Sequence, residues 1–391
     1  MIDPGTDENS LADNDTDLMR ISDADRYAGL RVAVLSDALQ HRNGVDAYYR
    51  DLVNHLKNYV AVIALLSPNP ADGDLATSLV RMPLPGDSTQ DVFFPQPARI
   101  NARIRELNPD VLISATNGPF GMYGVYLSHR YQVKLIAGFH THIEELCDMY
   151  WGPMLGWITR TYMESQNRIL FRRASNIVVN SHSMIAPAQS LSTTRVSLMG
   201  TPLESRFLEQ AVTPPADKLV RIFYGGRLAP EKNIDALLDA ARALEDFHFT
   251  IAGDGPQREE IEAEAARRPN LDYVGLLPRD AMVSQIDNHD LIVLPSHLEA
   301  FGTIALEAMV RQRLVLVSSR CGILSWTNLA RGLYSFSEDE PLADALVRIA
   351  AIDPRLRQAK AQQARGEALS NHRQALQGWL ELLATAKATQ A

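Results

Sequence analysis

Two successive series of short apolar runs, each separated by longer amphipathic stretches, constrain the fold more than any other feature of this chain. Strands buried on both faces read as near-continuous apolar runs, so this alternation is the pattern of a parallel sheet covered by helices. The first series holds RVAVLS (31–36), VAVIALLS (60–67), LVRMPL (79–84), DVLISA (110–115), VKLIAG (133–138), NIVVNS (176–181) and RVSLMG (195–200). A polar, proline-bearing stretch, EQAVTPPADK (209–218), interrupts it. The second series holds LVRIFYGG (219–226), FHFTIAGDG (247–255), LDYVG (271–275), LIVLP (291–295) and LVLVSS (314–319). The expected architecture is α/β, with two Rossmann-like doubly wound domains in tandem, 29–208 and 209–369, facing an interdomain cleft. A helical segment near 370–388 is expected to pack back on the first domain.

A length of 391 residues with 46% hydrophobic composition suits two such domains. The formal charge of -9 leaves no basic footprint for nucleic acid, so an anionic ligand must be met by local positive groups. Cys147 and Cys321 lie far apart, which excludes a disulfide framework and zinc-finger spacing and fits a reducing, cytoplasmic setting. Residues 1–28 carry many carboxylates and no apolar core of a secretory signal, and are expected to be a disordered acidic tail. No window approaches the roughly 18 consecutive apolar residues of a membrane span. Membrane contact would then be peripheral, on the inner face of the cytoplasmic membrane.

In open α/β sheets ligands bind beyond the carboxyl ends of the strands, which directs attention to four loops. In SDALQHRNGVDAYYRDL, Gly44 opens a helix and permits close approach of an anion to free N–H groups; an ordinary turn glycine reads equally well. In YGGRLAPEKN, Arg227 and Lys232 offer two cations at a helix start, suited to a diphosphate whose charge grows as it leaves, or to a solvated loop. In LIVLPSHLEAFGTIALEAM, Glu299 lies in the loop and Glu307 about one turn into the helix. There the amides of Phe301, Gly302 and Thr303 can hold phosphate or sugar oxygens, and a carboxylate can accept from paired ribose hydroxyls. The structural alternative is a capping acid and an exposed helical glutamate. In LIAGFHTHIEELCDMYW, His140 stands just past a strand, placed to hydrogen-bond a sugar. The nearby His142, Glu144, Glu145 and Asp148 match no common zinc spacing, so no metal site is assigned. AGDGP (252–256) is a further tight loop that opens a helix.

From about 31 to 388 the chain resembles a family-4 retaining glycosyltransferase of GT-B fold, on the motifs NGVDAYYRDL, GGRLAPEKN, AGDGP and EAFGTIALE. MPLPG (82–86), NPDVLISATNGPFGMYG (108–124) and GFHTHIEEL (138–146) resemble the branch containing sulfoquinovosyl- and glucosyl-diacylglycerol synthases and GDP-mannose-dependent mannosyltransferases. The resemblance implies that Arg227 and Lys232 bind the donor diphosphate and that Glu307 binds the nucleotide ribose. It places Glu299 with Phe301, Gly302 and Thr303 on the donor sugar and phosphates, Gly44 on the diphosphate from the opposite domain, and His140 on the transferred sugar. Arg227, Lys232, Glu299 and His140 would be the catalytic set. The implied reaction is front-face substitution without a protein nucleophile, with a UDP- or GDP-sugar as substrate and no cofactor or essential divalent metal. The chain departs from the family pattern at Arg311 to Arg313, which replace a small-residue turn, and at MGTPLESRF (199–207).

The acceptor is less legible. WGPMLGWITRTYMESQNRILFRR (151–173) sets Trp151 and Trp157 among basic residues including Arg160 and Arg168, a composition suited to an interfacial helix on anionic lipid or to a buried helix with a basic edge. With the branch likeness, the favoured acceptor is a membrane lipid such as diacylglycerol. A soluble or polysaccharide acceptor, and a non-enzymatic nucleotide-sugar-binding protein, are the alternatives. A hydrolysing epimerase of similar fold needs an acid and base pair that the sequence does not display. A nicotinamide oxidoreductase needs a G-x-G-x-x-G after the first strand, absent here.

Overall fold

The structure is a computed structural model that describes residues 21, 24–38, 44–68, 78–84, 87–141 and 153–389. In the first half, the strands are β1 (Arg31–Leu35), β2 (Val62–Leu66), β3 (Ser78–Leu84), β4 (Asp87–Pro95), β5 (Val111–Ser114), β6 (Lys134–Gly138), β7 (Asn176–Val179) and β8 (Val196–Leu198). Six of them form a sheet in the order β2-β1-β5-β6-β7-β8, with every pairing parallel. In the second half, β9 (Arg221–Gly225), β10 (His248–Ala252), β11 (Leu271–Gly275), β12 (Leu291–Leu294), β13 (Leu314–Ser318) and β14 (Tyr334–Phe336) form a parallel sheet ordered β11-β10-β9-β12-β13-β14. The strand order reverses between β1 and β5 in one sheet and between β9 and β12 in the other. Those two switch points are where the cleft loops leave the sheets.

The run LVRMPL does not join the first sheet. As β3 it pairs antiparallel with β4, a strand hidden in sequence by its polar start, DSTQ, to make a separate hairpin. The tail ends sooner than expected, because Ile21 and Tyr27 are buried in the first core and Ala24–Tyr27 forms a 3-10 turn; residues 1–20, 22 and 23 lie outside the described set. Leu203 and Phe207 already pack in the second core, several residues before the expected boundary at 208.

Six helices position the site and its surroundings: α1 (Gly44–Leu56), α2 (Pro119–Arg130), α3 (Pro153–Arg173), α4 (Arg279–Asn288), α5 (Thr303–Val310) and α6 (Pro354–Ala388). The last begins well before residue 370. Asp353 caps its start, accepting from the Arg355 amide at 2.8 Å, and Pro354 occupies its first turn. Ala361, Ala364, Ala368 and Leu369 lie in the second-half cores, whereas Leu376, Trp379, Leu380 and Leu383 lie in the first. Trp379 is fully buried and donates its indole N–H to Tyr48 Oη at 2.8 Å, so the helix does pack back on the first domain. The two chain crossings lie side by side: the Thr201 amide donates to Asn371 Oδ1 at 3.1 Å and the Leu203 amide to His372 Nδ1 at 2.9 Å.

Arg311 and Arg313 turn away from the cleft and hold the linker. Arg311 is wholly buried, donates to the carbonyls of Phe207, Gln210 and Ala211, and pairs with Asp287 at 2.7 Å; Arg313 donates to the Thr213 carbonyl at 2.6 Å. Between them Gln312 sits at φ 57°, the left-handed position that a small-residue turn would normally fill.

Candidate active site

The loop after β9 and the loop after β12 are held together by Glu231, whose backbone carbonyl accepts from the amides of His297 at 2.9 Å and Leu298 at 3.2 Å. That tether brings Lys232 Nζ to 2.6 Å from Glu299 Oε2. Burial opposes the charge on Lys232, but the Glu299 carboxylate and its hydrogen bond outweigh it, and the lysine's pKa is raised; it is a fixed cation at neutral pH. Arg227 stands at the head of the same loop, where its guanidinium lies 3.4 Å from Glu231 and its carbonyl accepts from Tyr224 Oη at 2.8 Å. Gly253 of AGDGP packs against this loop at φ 146°, where a Cβ would fall 1.8 Å from the Gly226 carbonyl oxygen.

Beyond Glu299 the backbone is tied to the segment after β13: Gly322 N–H donates to the Glu299 carbonyl at 2.8 Å and Ile323 N–H to that of Phe301 at 3.0 Å. The Phe301 side chain is buried in the second core and is not presented to the cleft. Gly302 takes φ 94°, and a Cβ there would press within 3.0 Å of Leu294 and Cys321 and 3.5 Å of Glu299. Its backbone turn starts α5 at Thr303 and its carbonyl accepts from the Ala305 amide at 2.9 Å, leaving the Thr303 and Ile304 amides without acceptors in the helix. Across the cleft, α1 starts at Gly44, and a Cβ on Gly44 would lie 3.5 Å from Thr303 Oγ1. Two helix N-termini, one from each domain, therefore converge on the same point, adding two partial positive charges to the nearby lysine.

Glu307, one turn into α5, is buried and accepts from Arg279 at 2.9 Å. Burial raises its pKa against the pull of Arg279. His140 follows β6 and is also buried, with Nε2 at 2.9 Å from Tyr49 Oη of α1. Burial lowers its pKa to about 4, a shift that the Asn180 side chain opposes, so the imidazole is neutral near pH 7. The cleft loops thus gather Gly44, Lys232, Glu299, Gly302 and Thr303 directly, with Arg227, Glu307 and His140 held by intermediaries. Trp157, Arg160 and Arg168 form no part of this set; they lie on α3. There Met154, Trp157, Ile158, Tyr162 and Ile169 are exposed at helical spacing, and Arg168 pairs with Glu164 at 2.9 Å. Trp151, His142, Glu144, Glu145, Cys147 and Asp148 lie outside the described residues.

Three groups escaped the sequence reading. Asp37, just past β1, accepts from Thr116 Oγ1 at 2.6 Å and from the Phe120 amide at 2.7 Å, fixing the start of α2. Tyr49 orients His140, and Arg279, itself bound to Asp51, holds Glu307. Asp37, Tyr49 and Asp51 lie in the stretch SDALQHRNGVDAYYRDL, but its spacing names no partner for any of them; Asp37 caps the motif containing Asn117-Gly118-Pro119.

The glycosyltransferase family 4 model matches residues 42–198 and the glycosyl transferases group 1 model matches 205–365, between them most of the chain. The chain belongs to the glycosyltransferases. It is 26% identical to sulfoquinovosyl transferase SQD2 of Arabidopsis thaliana over 57% of its own length and 45% of that protein's. It is 32% identical to alpha-D-kanosaminyltransferase of Streptomyces kanamyceticus over 37% of its length and 39% of that protein's. It is also 24% identical to the GDP-mannose-dependent alpha-mannosyltransferase of Mycolicibacterium smegmatis over 72% and 77%. The chain thus spans less than half of the first two relatives. Among solved structures, Anabaena HepE in complex with UDP-glucose superposes with a TM-score of 0.63 at 15% identity, over 92% of this chain and 99% of that one, which establishes the GT-B fold.

Proposed function

We propose that this glycosyltransferase moves a hexosyl group from a UDP- or GDP-sugar, with retention at the anomeric carbon, to a hydroxyl of a membrane lipid such as diacylglycerol. The observation that carries the donor half is the meeting of the α1 and α5 N-termini beside Lys232 and Glu299. Two helix termini and a lysine that stays charged are suited to the diphosphate, with Arg227 beside them, and no cofactor or divalent cation is required in this reading. Glu307 would accept from the ribose hydroxyls, while Glu299 and the Phe301 to Thr303 backbone would hold the sugar and phosphates. His140, neutral and oriented by Tyr49, would hydrogen-bond the transferred sugar. In the step itself the bond from the anomeric carbon to the β-phosphate oxygen breaks and the bond to the acceptor oxygen forms on the same face. The acceptor's proton passes to the departing phosphate, so the protein's work is positioning and charge stabilisation.

The acceptor half rests on α3. Trp157 is 66% and Met154 79% exposed on a helix that also carries Arg168 and Arg172 at its surface, a pairing of apolar face and basic flank suited to an anionic lipid surface, while Arg160 and Arg173 are half-buried and Arg173 donates to the Ser128 carbonyl at 2.9 Å. No helix among the described residues is long and apolar enough to cross a membrane. Two further relatives are named for acceptors of opposite kinds, a phosphatidylinositol dimannoside and 2-deoxystreptamine, so transfer to a soluble acceptor is the second reading.

Calorimetric titration with UDP and GDP tests the donor site. Diphosphate release from the matching nucleotide-sugars, with and without vesicles of anionic phospholipid and diacylglycerol, tests the acceptor. Vesicle-dependent turnover supports the lipid reading, turnover indifferent to vesicles replaces it with a soluble acceptor, and no binding of either nucleotide overturns the donor site.

A further inference from the structure

The two helices that meet at the cleft are joined a second time, deeper in each. Seven residues after Gly44, α1 carries Asp51; four residues after Thr303, α5 carries Glu307. Between them stands Arg279, the first residue of α4. Its guanidinium donates to Asp51 Oδ2 at 3.0 Å, to Asp51 Oδ1 at 3.4 Å and to Glu307 Oε1 at 2.9 Å, while its Nε lies 2.7 Å from Glu204 Oε2. Glu204 adjoins Leu203 and Phe207, which pack in the second core, so of the three carboxylates Asp51 alone belongs to the first domain.

One guanidinium among three largely buried carboxylates is a poor way to gain stability, since the desolvation cost rivals the Coulombic return. It is an effective way to fix geometry, because the planar fork serves two carboxylates at defined angles, which an ammonium cannot do. Asp51 is 2% exposed and sits seven residues, roughly 10 Å of helix rise, behind the terminus that faces Thr303.

We propose that Arg279 is a positioning residue for donor binding: it holds the Glu307 carboxylate and, through Asp51, ties that carboxylate to the opposite domain, so that nucleotide binding and domain closure are coupled. The inference rests on Glu307 being the ribose-binding carboxylate. When the cleft opens, Asp51 leaves Arg279, and the guanidinium is redistributed between Glu204 and Glu307. When it closes, the α1 and α5 termini and the ribose acceptor take their places together. Asp51 need not touch the nucleotide for its removal to weaken binding.

The test uses the full chain as wild type, Asp51→Ala, Arg279→Lys and the double variant. Alanine suits a helix interior and leaves Arg279 paired with Glu204 and Glu307, and lysine preserves the charge while losing the fork. UDP and GDP are titrated calorimetrically into each protein, and the radius of gyration is measured by small-angle scattering without nucleotide. Expected is an affinity about 5-fold or more weaker in each single variant, with the double variant no worse than the weaker single. The radius of gyration should increase in Asp51→Ala. Wild-type affinity in Asp51→Ala, or losses that multiply in the double variant, overturns the coupling while leaving the donor site standing. If the wild type binds neither nucleotide, the donor reading fails, and with it the coupling to the nucleotide; an unchanged radius of gyration in Asp51→Ala would then remove the closure as well.

Discussion

Replacing Lys232 by methionine separates the two things that its contact with Glu299 does. At 2.6 Å the pair's gross attraction is roughly 6 kcal/mol at an effective dielectric of about 20, before the cost of desolvating both groups. Each side chain retains 19% exposure, so stranding Glu299 should cost on the order of 1 to 3 kcal/mol, below the 3 to 5 typical of a fully buried pair. If Lys232 also meets the leaving diphosphate, losing it removes about 3 to 4 kcal/mol of barrier stabilisation, or 100- to 1,000-fold in turnover. Adding Glu299→Gln to Lys232→Met restores charge balance. The double variant should therefore regain much of the lost thermal stability and none of the lost turnover. Thermal unfolding followed by circular dichroism reads the first quantity, and diphosphate release at saturating nucleotide-sugar reads the second. Turnover within about 3-fold of wild type in Lys232→Met would refute the assignment, because no cation worth 3 to 4 kcal/mol can be lost so cheaply.

Four further outcomes are expected. Burial raises the pKa of Asp51 above the usual 3.8, with Glu307 and Glu204 raising it further and Arg279 opposing them. Keeping the carboxylate ionised for the Arg279 fork therefore costs the folded form stability as pH rises from the unfolded value through the folded one, and unfolding midpoints followed from about pH 4 upward should fall more steeply for wild type than for Asp51→Asn. Gln312→Gly relieves a left-handed residue and should raise the unfolding midpoint by the equivalent of about 1 kcal/mol. Trp379→Ala should cost about 3 to 5 kcal/mol and expose the last turns of α6 to hydrogen exchange, with β9 to β14 unaffected. Trp157→Ala should weaken sedimentation with anionic vesicles and leave nucleotide titration at wild-type values.

The parallel sheets were legible because a doubly buried strand leaves an unbroken apolar run, as LIVL at β12 does with all four residues buried. β4 was not, because a hairpin outside the central sheet needs no such run, and DSTQDVFFP reads as a turn followed by two aromatics. The same distinction governs the site. Glu299, Gly302, Thr303 and Glu307 share one strand-to-helix turn, where chain spacing fixes spatial proximity. The pairing of Lys232 with Glu299 spans 67 residues and became visible only because two loops leave adjacent strands at a switch point. Arg279 and Asp51 are 228 residues apart, on helices of different domains, and nothing in the spacing of either announces the other.

Helix α6 has a mechanical consequence. A rod of 35 residues, roughly 52 Å long, has one end cemented into each lobe and is crossed near its middle by the chain's other passage between the lobes, Gly200 to Leu203. Two adjacent pins leave the lobes one principal freedom, rotation about the line through Asn371 and Thr201, and suppress twisting and sliding. Opening of the cleft is then taken up as bending of the rod around residues 370–375, so once the Arg279–Asp51 contact has parted, the stiffness of that short stretch limits how far the lobes can separate.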